Sequence, residues 1–299
     1  MLKKIRCLGS CGRAKEKQKA LVVSELRQNY PLNMLLDISK LSRSTFYYHL
    51  KQFSNVDKYE IEKKEILKIF EYNKGRYGYR RILIELRNLG YKINHKTVIK
   101  LMKSLNIQGK QRKSKYKSYK GEVGKIAPNI INRDFVANAP FQKLTTDVTE
   151  FAVCDEKVYL SPILDMYNNE IISYSISTSP NFYQTKEMLN GLIHKLPNNT
   201  TPILHSDQGW QYQMKEYQRI LKENNITQSM SRKGNCLDNS VMENFFGRLK
   251  TEMFYGEKFE SVNTFIDKLK EYIYYYNNER IILKLKMSPV KYRTQNIAI

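Results

Sequence analysis

The sequence predicts an α/β domain in its back half, preceded by two helical segments that hold almost all of the excess charge. Three observations lead there. From about residue 138 onward, short runs rich in β-branched and aromatic residues alternate with stretches of helical period. Before that point, apolar residues recur at helical spacing between cap and turn residues. The formal charge of +22 on 299 residues is unevenly divided, with 31 basic against 10 acidic residues in 1–130 and 20 against 19 in 131–299. A basic front on a neutral back is the pattern of polyanion binding joined to a part with another task.

The length suits two or three domains, and 41% apolar content supports packed cores. Four cysteines make no disulfide framework in a chain this long, and Cys7 and Cys11 lack a nearby pair that would complete four zinc ligands. The basic N-terminus lacks an apolar signal segment, and no run approaches the roughly 20 apolar residues of a membrane span. The expectation is a cytoplasmic protein without a membrane partner, nucleoid-associated when bound to DNA.

Residues 1–56 read as a helix over Ala14 to Gln28, then a turn and a second helix capped by Ser42 or Ser44. A helix that opens with Arg43, Ser44 and Thr45 suits a helix-turn-helix offering those residues to DNA. Residues 57–108 repeat the theme. A helix near 57–72 leads to KGRYGYRRI, a second helix follows to about Asn88 with Gly90 as its stop, and Asn94 caps a third ending near Leu105. Arg76, Arg80, Arg81, Lys96 and Lys100 are candidate phosphate contacts, which position a duplex without reading it. Residues 109–136 form a basic linker without hydrophobic period, expected to be mobile until it lies on a phosphate backbone.

In residues 137–299, KLTTDVTEF places Thr145, Asp147 and Thr149 on one face of a strand. KVYLSPILDMY and EIISYSIST flank a two-residue turn at Asn168-Asn169. Pro162 in that run requires a bulge or a local edge, because it removes a ladder hydrogen bond. A helix over Tyr183 to Lys195 and a strand over Pro202 to His205 come next, with Asp207 where the strand opens into a loop. His205 and Ser206 are expected to orient that loop. Asp238-Asn239 signals the start of a helix on which Met242, Phe245, Phe246, Leu249 and Met253 face the core, leaving Glu243, Gly247 and Lys250 on another face. An amphipathic helix and the closing KMSPVKYR end the chain. Together these elements make an α/β order.

A carboxylate at a strand end and another on a nearby helix suit a hard divalent cation if a third comes from elsewhere, and Asp147 is the candidate for it. Asp165, near its hairpin turn, reads as structural. Three acids compete on the last helix. Asp238 sits at the expected N-cap, and Glu252, nine residues beyond Glu243, faces half a turn away from it.

Asp147, Asp207 and Glu243 follow one another with 35 residues between the last two. That spacing, together with HSDQGWQY, SMSRKGNCLDNS, MENFFGRLKTE and YNNER in order, resembles the OrfB-type transposases of the IS-three family of bacterial insertion elements. The resemblance runs from about Tyr77 to Tyr292. It implies a ribonuclease-H-like integrase catalytic core that cleaves the ends of an insertion element and joins the 3′-ends to target DNA by metal-dependent phosphoryl transfer. It further implies that Asp147 bridges two Mg²⁺ ions, replaceable by Mn²⁺, while Asp207 and Glu243 each complete one. Lys250, Arg232, Lys233 and Arg280 join the expected DNA contacts. Double-stranded DNA, an upstream-frame protein fused by frameshifting and further copies of the chain are the implied partners. Two other readings stay open: a nuclease or resolvase of the same fold that only hydrolyses, and a DNA-binding regulator with an inert core.

Overall fold

A computed structural model describes residues 13–54, 57–110, 127–232 and 236–297. Cys7, Cys11 and most of the expected linker lie outside the described residues. The chain divides into two compact units, Met1–Glu65 and Ile66–Ile299.

In the first unit, α1 (Arg13–Leu26), α2 (Leu32–Ser39) and α3 (Arg43–Ser54) close a small core of Ala20, Val23, Leu35, Leu36, Leu41 and Phe46. Lys40 adopts a left-handed conformation that stops α2, and the Ser42 hydroxyl accepts the Thr45 backbone N–H to start α3. The helix-turn-helix signal thus contains one more short helix than the residues suggested. Arg43 is exposed on the first turn of α3.

The second unit begins within α4 (Glu60–Tyr72) and continues through α5 (Tyr79–Asn88) and α6 (His95–Ser104). Asn94 caps α6 by accepting from the Lys96 N–H. A mixed sheet follows. The strands are β1 (Lys143–Thr146), β2 (Thr149–Val153), β3 (Glu156–Asp165), β4 (Ile171–Ser177), β5 (Ile203–Ser206) and β6 (Thr227–Met230). β3 pairs antiparallel with β4 on one side, and on the other with β1 and β2 laid end to end. β5 lies parallel to β1, and β6 parallel to β5. On one face α7 (Phe182–Ile193) and α8 (Lys215–Glu223) bury Leu144, Ile163 and Leu204. On the other, α9 (Ser240–Leu249) and α10 (Val262–Asn278) bury Phe151, Leu160 and Ile171. The chain ends in α11 (Pro289–Ile297). These are the three layers of an α/β domain. Gly191 of α7 allows its close approach, since an added Cβ would stand 2.3 Å from Ser173 Oγ on β4.

Several local expectations change. The single strand expected through Asp147 breaks into β1 and β2, with Asp147 and Val148 in the gap. Pro162 explains the break. Thr146 pairs with Ile163 and Thr149 with Leu160, so Pro162 stands opposite the gap, and its carbonyl, which accepts from Thr146 Oγ1 at 2.9 Å, faces that way. Without an N–H, Pro162 leaves the Asp147 position unladdered, and a register shift at Ile163/Leu164 adds the expected bulge toward β4. The two-residue turn lies at Cys154-Asp155, both with positive φ, between β2 and β3, whereas β3 and β4 are joined by a longer connection. β6 escaped the sequence reading because its residues, Thr-Gln-Ser-Met, form no apolar run. Residues 127–136, expected in the linker, pack on the sheet: Ile131 is buried, and the Ile130 N–H donates to Ser229 Oγ at 2.9 Å. Among the described residues, no helix is long and apolar enough to cross a membrane.

Candidate active site

The gap between β1 and β2 presents Asp147 beside the C-terminal end of β5, because β1 and β5 run parallel with Thr145 opposite His205. Asp207 follows β5 directly. Its Oδ1 accepts the Gly209 N–H at 2.9 Å, and the Ser206 hydroxyl donates to its carbonyl. Of the two residues expected to orient this loop, Ser206 touches Asp207, whereas the His205 side chain bonds Ser229 on β6, Nδ1 to Oγ at 2.9 Å. Glu243 stands on the first turn of α9, whose Met242, Phe245, Phe246 and Leu249 are buried against β2 to β4 and α10.

Electrostatics tie the three acids together. Burial raises the Asp147 carboxyl well above its ordinary value, and the nearby Asp207 and Glu243 charges raise it further; Lys250 and the Val148 N–H pull the other way. Burial likewise raises Asp207 against the opposing Gly209 N–H. Among the described residues, no three His, Cys, Asp or Glu side chains already converge on one point. Asp147 therefore feels the charges of the other two acids without the three forming a closed ligand set. That donor set suits a hard divalent cation, whose charge would offset both the burial and the neighbouring acids that raise Asp147.

The rivals of Glu243 have other tasks. Asp238 is not the helix cap: Asn239 occupies that position, and the Asp238 carboxylate accepts from Arg232, Arg133 and Asn129 and from the Arg232 backbone N–H. Those donors hold it far below the usual carboxylate range. Glu252 lies in a π-helical turn, Lys250–Phe254, and is buried against Arg280 and Tyr272. Asp165 is also buried, accepting from the Phe141 and Tyr167 N–H groups, and burial pushes it up to about 6.

The expected DNA contacts separate into exposed and committed groups. Arg80, Lys96 and Lys100 are exposed on α5 and α6. Lys250 lies near Asp147 with its Nζ 5.1 Å from the Phe151 ring centroid. Arg232 is exposed while gripping Asp238 with two nitrogens. Arg76 and Arg81 join the helical segment to the core instead of standing free: Arg76 donates to the Glu252 carbonyl and stacks on Tyr275, and Arg81 donates to the Ile281 carbonyl at 3.0 Å. Arg280 requires correction, because it is 1% exposed and cannot reach a phosphate. Lys233 lies outside the described residues.

Sequence reading also missed Asn239, which donates to Asp147 Oδ2 at 3.2 Å. Its position four residues before Glu243 is a usable signal, since such pairs share a helix face. Read locally, however, Asn239 is only half of a cap.

Comparison with known proteins agrees with this fold. Integrase core domain models match residues 137–236 and 243–297, and an HTH-like domain model matches residues 57–115. A transposase of insertion sequence element IS150 from Escherichia coli K12 is 53% identical over 92% of this chain and 97% of its own length. A transposase-like protein of Haemophilus influenzae is 57% identical over 69% of this chain and 95% of its own. The transposase of insertion sequence IS3A from Escherichia coli K12 is 28% identical over 81% and 86%. With an integrase core of ribonuclease-H-like fold behind an HTH-like segment, the chain belongs to the IS3 family of bacterial insertion-sequence transposases.

Proposed function

We propose that Asp147, Asp207 and Glu243 form the centre at which this transposase cleaves element ends and joins the freed 3′-ends to target DNA. The observation that carries the reading is the placement of Asp147, held in the β1–β2 gap by the Val148 N–H beside the C-terminal end of β5, where burial, and then the Asp207 and Glu243 charges, raise its carboxyl. Carboxyls shifted in this way are expected at catalytic groups, whereas Asp238 and Glu252 are each paired with an arginine. Asp147, Asp207 and Glu243 would hold the divalent ions, Mg²⁺ or Mn²⁺, through carboxylate oxygens. When bound, the ions supply an activated nucleophile and charge stabilisation for the departing oxygen. The chain's own residues do the rest. The β1–β2 gap and the Gly209 N–H hold two acids in place, and α9 brings the third.

Lys250, beside Asp147, would take a DNA phosphate close to the reacting bond, and Arg80, Lys96, Lys100 and Arg43 would carry the flanking duplex. Residues 1–56 and 57–108 serve as the DNA-binding segments in this reading. An upstream-frame fusion partner and assembly of several copies on DNA complete the proposed apparatus. No observation favours hydrolysis alone or an inert core.

The test is a 3′-end joining assay with end-containing DNA in Mn²⁺. Asp147→Asn and Glu243→Gln are expected to lose joining by about a thousandfold or more, since several kcal/mol of charge stabilisation vanish, while DNA binding persists. Joining that survives Glu243→Gln would remove Glu243 from the site. Cleavage without any joined product, even with the upstream-frame partner present, would favour the nuclease.

A further inference from the structure

We infer that Asn239 is a positioning residue that fixes the direction of the Asp147 carboxylate and is itself locked by Thr145. The inference rests on Asp147 being a metal ligand.

Asn239 is 5% exposed and lies between strand and helix. Its Nδ2 donates to Asp147 Oδ2 at 3.2 Å, and its Oδ1 accepts from Thr145 Oγ1 at 2.9 Å. With Asp147 ionised, as a bound cation would hold it, the amide faces one way. Reversed, it would set Oδ1 against a carboxylate oxygen, two acceptors with no proton between them. Thr145 is fully buried in β1, so the anchor at the far end of the relay is rigid.

The other Asp147 oxygen, Oδ1, accepts from the Val148 N–H at 2.7 Å. Each oxygen therefore has one protein donor, and an ionised carboxylate has about four acceptor sites. The remaining lone pairs are left for cations, in a direction set by the two donors. Because Asn239 immediately precedes α9, the same side chain also ties the strand that presents Asp147 to the helix that presents Glu243. A group that orients a ligand in this way typically accounts for about 10- to 100-fold in metal affinity or activity.

The experiment titrates Mn²⁺ into the full-length, DNA-free chain, reading the free ion by electron paramagnetic resonance, and measures melting temperature and strand transfer in parallel. The variants are Asn239→Ala, Thr145→Val and Asp147→Asn. Asn239→Ala is expected to weaken Mn²⁺ binding about 10- to 100-fold, with melting close to wild type and strand transfer partly restored at high Mn²⁺. Thr145→Val should shift affinity in the same direction by less. Wild-type Mn²⁺ affinity in a folded Asn239→Ala would overturn the inference if Asp147→Asn has lost binding. Should Asn239→Ala fail to fold, Thr145→Val decides, and wild-type affinity there also overturns it. Wild-type affinity in Asp147→Asn is a different failure, because it removes the metal site on which the inference stands.

Discussion

Arg280 sets its Nη2 2.5 Å from Glu252 Oε1 and its Nε 2.8 Å from Oε2, and both side chains are buried. Tyr272 donates to the same carboxylate, and the Glu252 carbonyl receives Arg76. This pair joins the π-helical turn that follows α9 to the segment after α10. Two charges spent on each other inside the protein are structural, and they commit Glu252 to the packing of this segment.

Glu252→Gln should therefore destabilise the chain by about 3 to 5 kcal/mol, because it leaves the Arg280 guanidinium buried without its counter-charge. Arg280→Met should do the same from the other side. The double variant Glu252→Gln with Arg280→Met should recover part of that stability, since no bare charge remains. Urea unfolding of the three proteins measures this. A strictly additive double variant would show that the pair is not the source of the cost.

A second prediction concerns pH. Asp165 is pushed up to about 6 by burial, from an unfolded value near 3.8, so the folded protein holds the proton more tightly. Its contribution to stability is full below about pH 4 and is lost as pH rises through 6. In Asp165→Asn that component of the pH dependence should vanish. The variant should also be weaker by about 1 to 3 kcal/mol, because the amide has one acceptor oxygen for the two N–H groups of Phe141 and Tyr167. Urea midpoints at pH 5 and pH 7 decide, and an unchanged difference between them would rule Asp165 out.

Much of this was legible because it depended on local patterns. The helices appeared where apolar spacing and caps coincided, as at Asn94, and the three acids stood out by order and spacing. What escaped depended on contacts across the sequence. Arg280 looks like any cation after a helix until Glu252, 28 residues earlier, is folded against it. Asp238 read as a cap because nothing local reveals that Arg133 will reach it from 105 residues away. The Pro162 problem was visible, yet its solution, a gap opposite in which Asp147 sits, required the register of three strands.

DNA affinity should depend on the exposed cations and not on the committed ones. Lys96 and Lys100 are exposed on α6. Replacing both with Ala should lower the slope of log affinity against log salt by roughly 2, at about 0.9 for each phosphate that no longer meets a lysine. Arg280→Met supplies the contrast: under conditions where it remains folded, its slope should match wild type. Electrophoretic mobility shifts on a random duplex at several salt concentrations measure both, and an unchanged slope in the double lysine variant would remove α6 from the DNA interface.

The last prediction uses the single tryptophan of the chain. Trp210 is 54% exposed on the 3₁₀ turn that begins three residues beyond Asp207, while Tyr212 of the same turn is fully buried. The turn is thus anchored by one aromatic ring and leaves the other exposed, three residues along the chain from Asp207. An exposed ring there costs solvation unless something covers it, and a base at a DNA end has the flat surface to do so. Titrating element-end DNA into the protein without metal should quench the tryptophan emission and shift it to shorter wavelength. Trp210→Ala should weaken binding of end-containing DNA by about 1 to 3 kcal/mol, the range for one stacked base, while binding of an internal duplex stays near wild type. Emission that does not change at saturating end DNA would place Trp210 outside the bound complex.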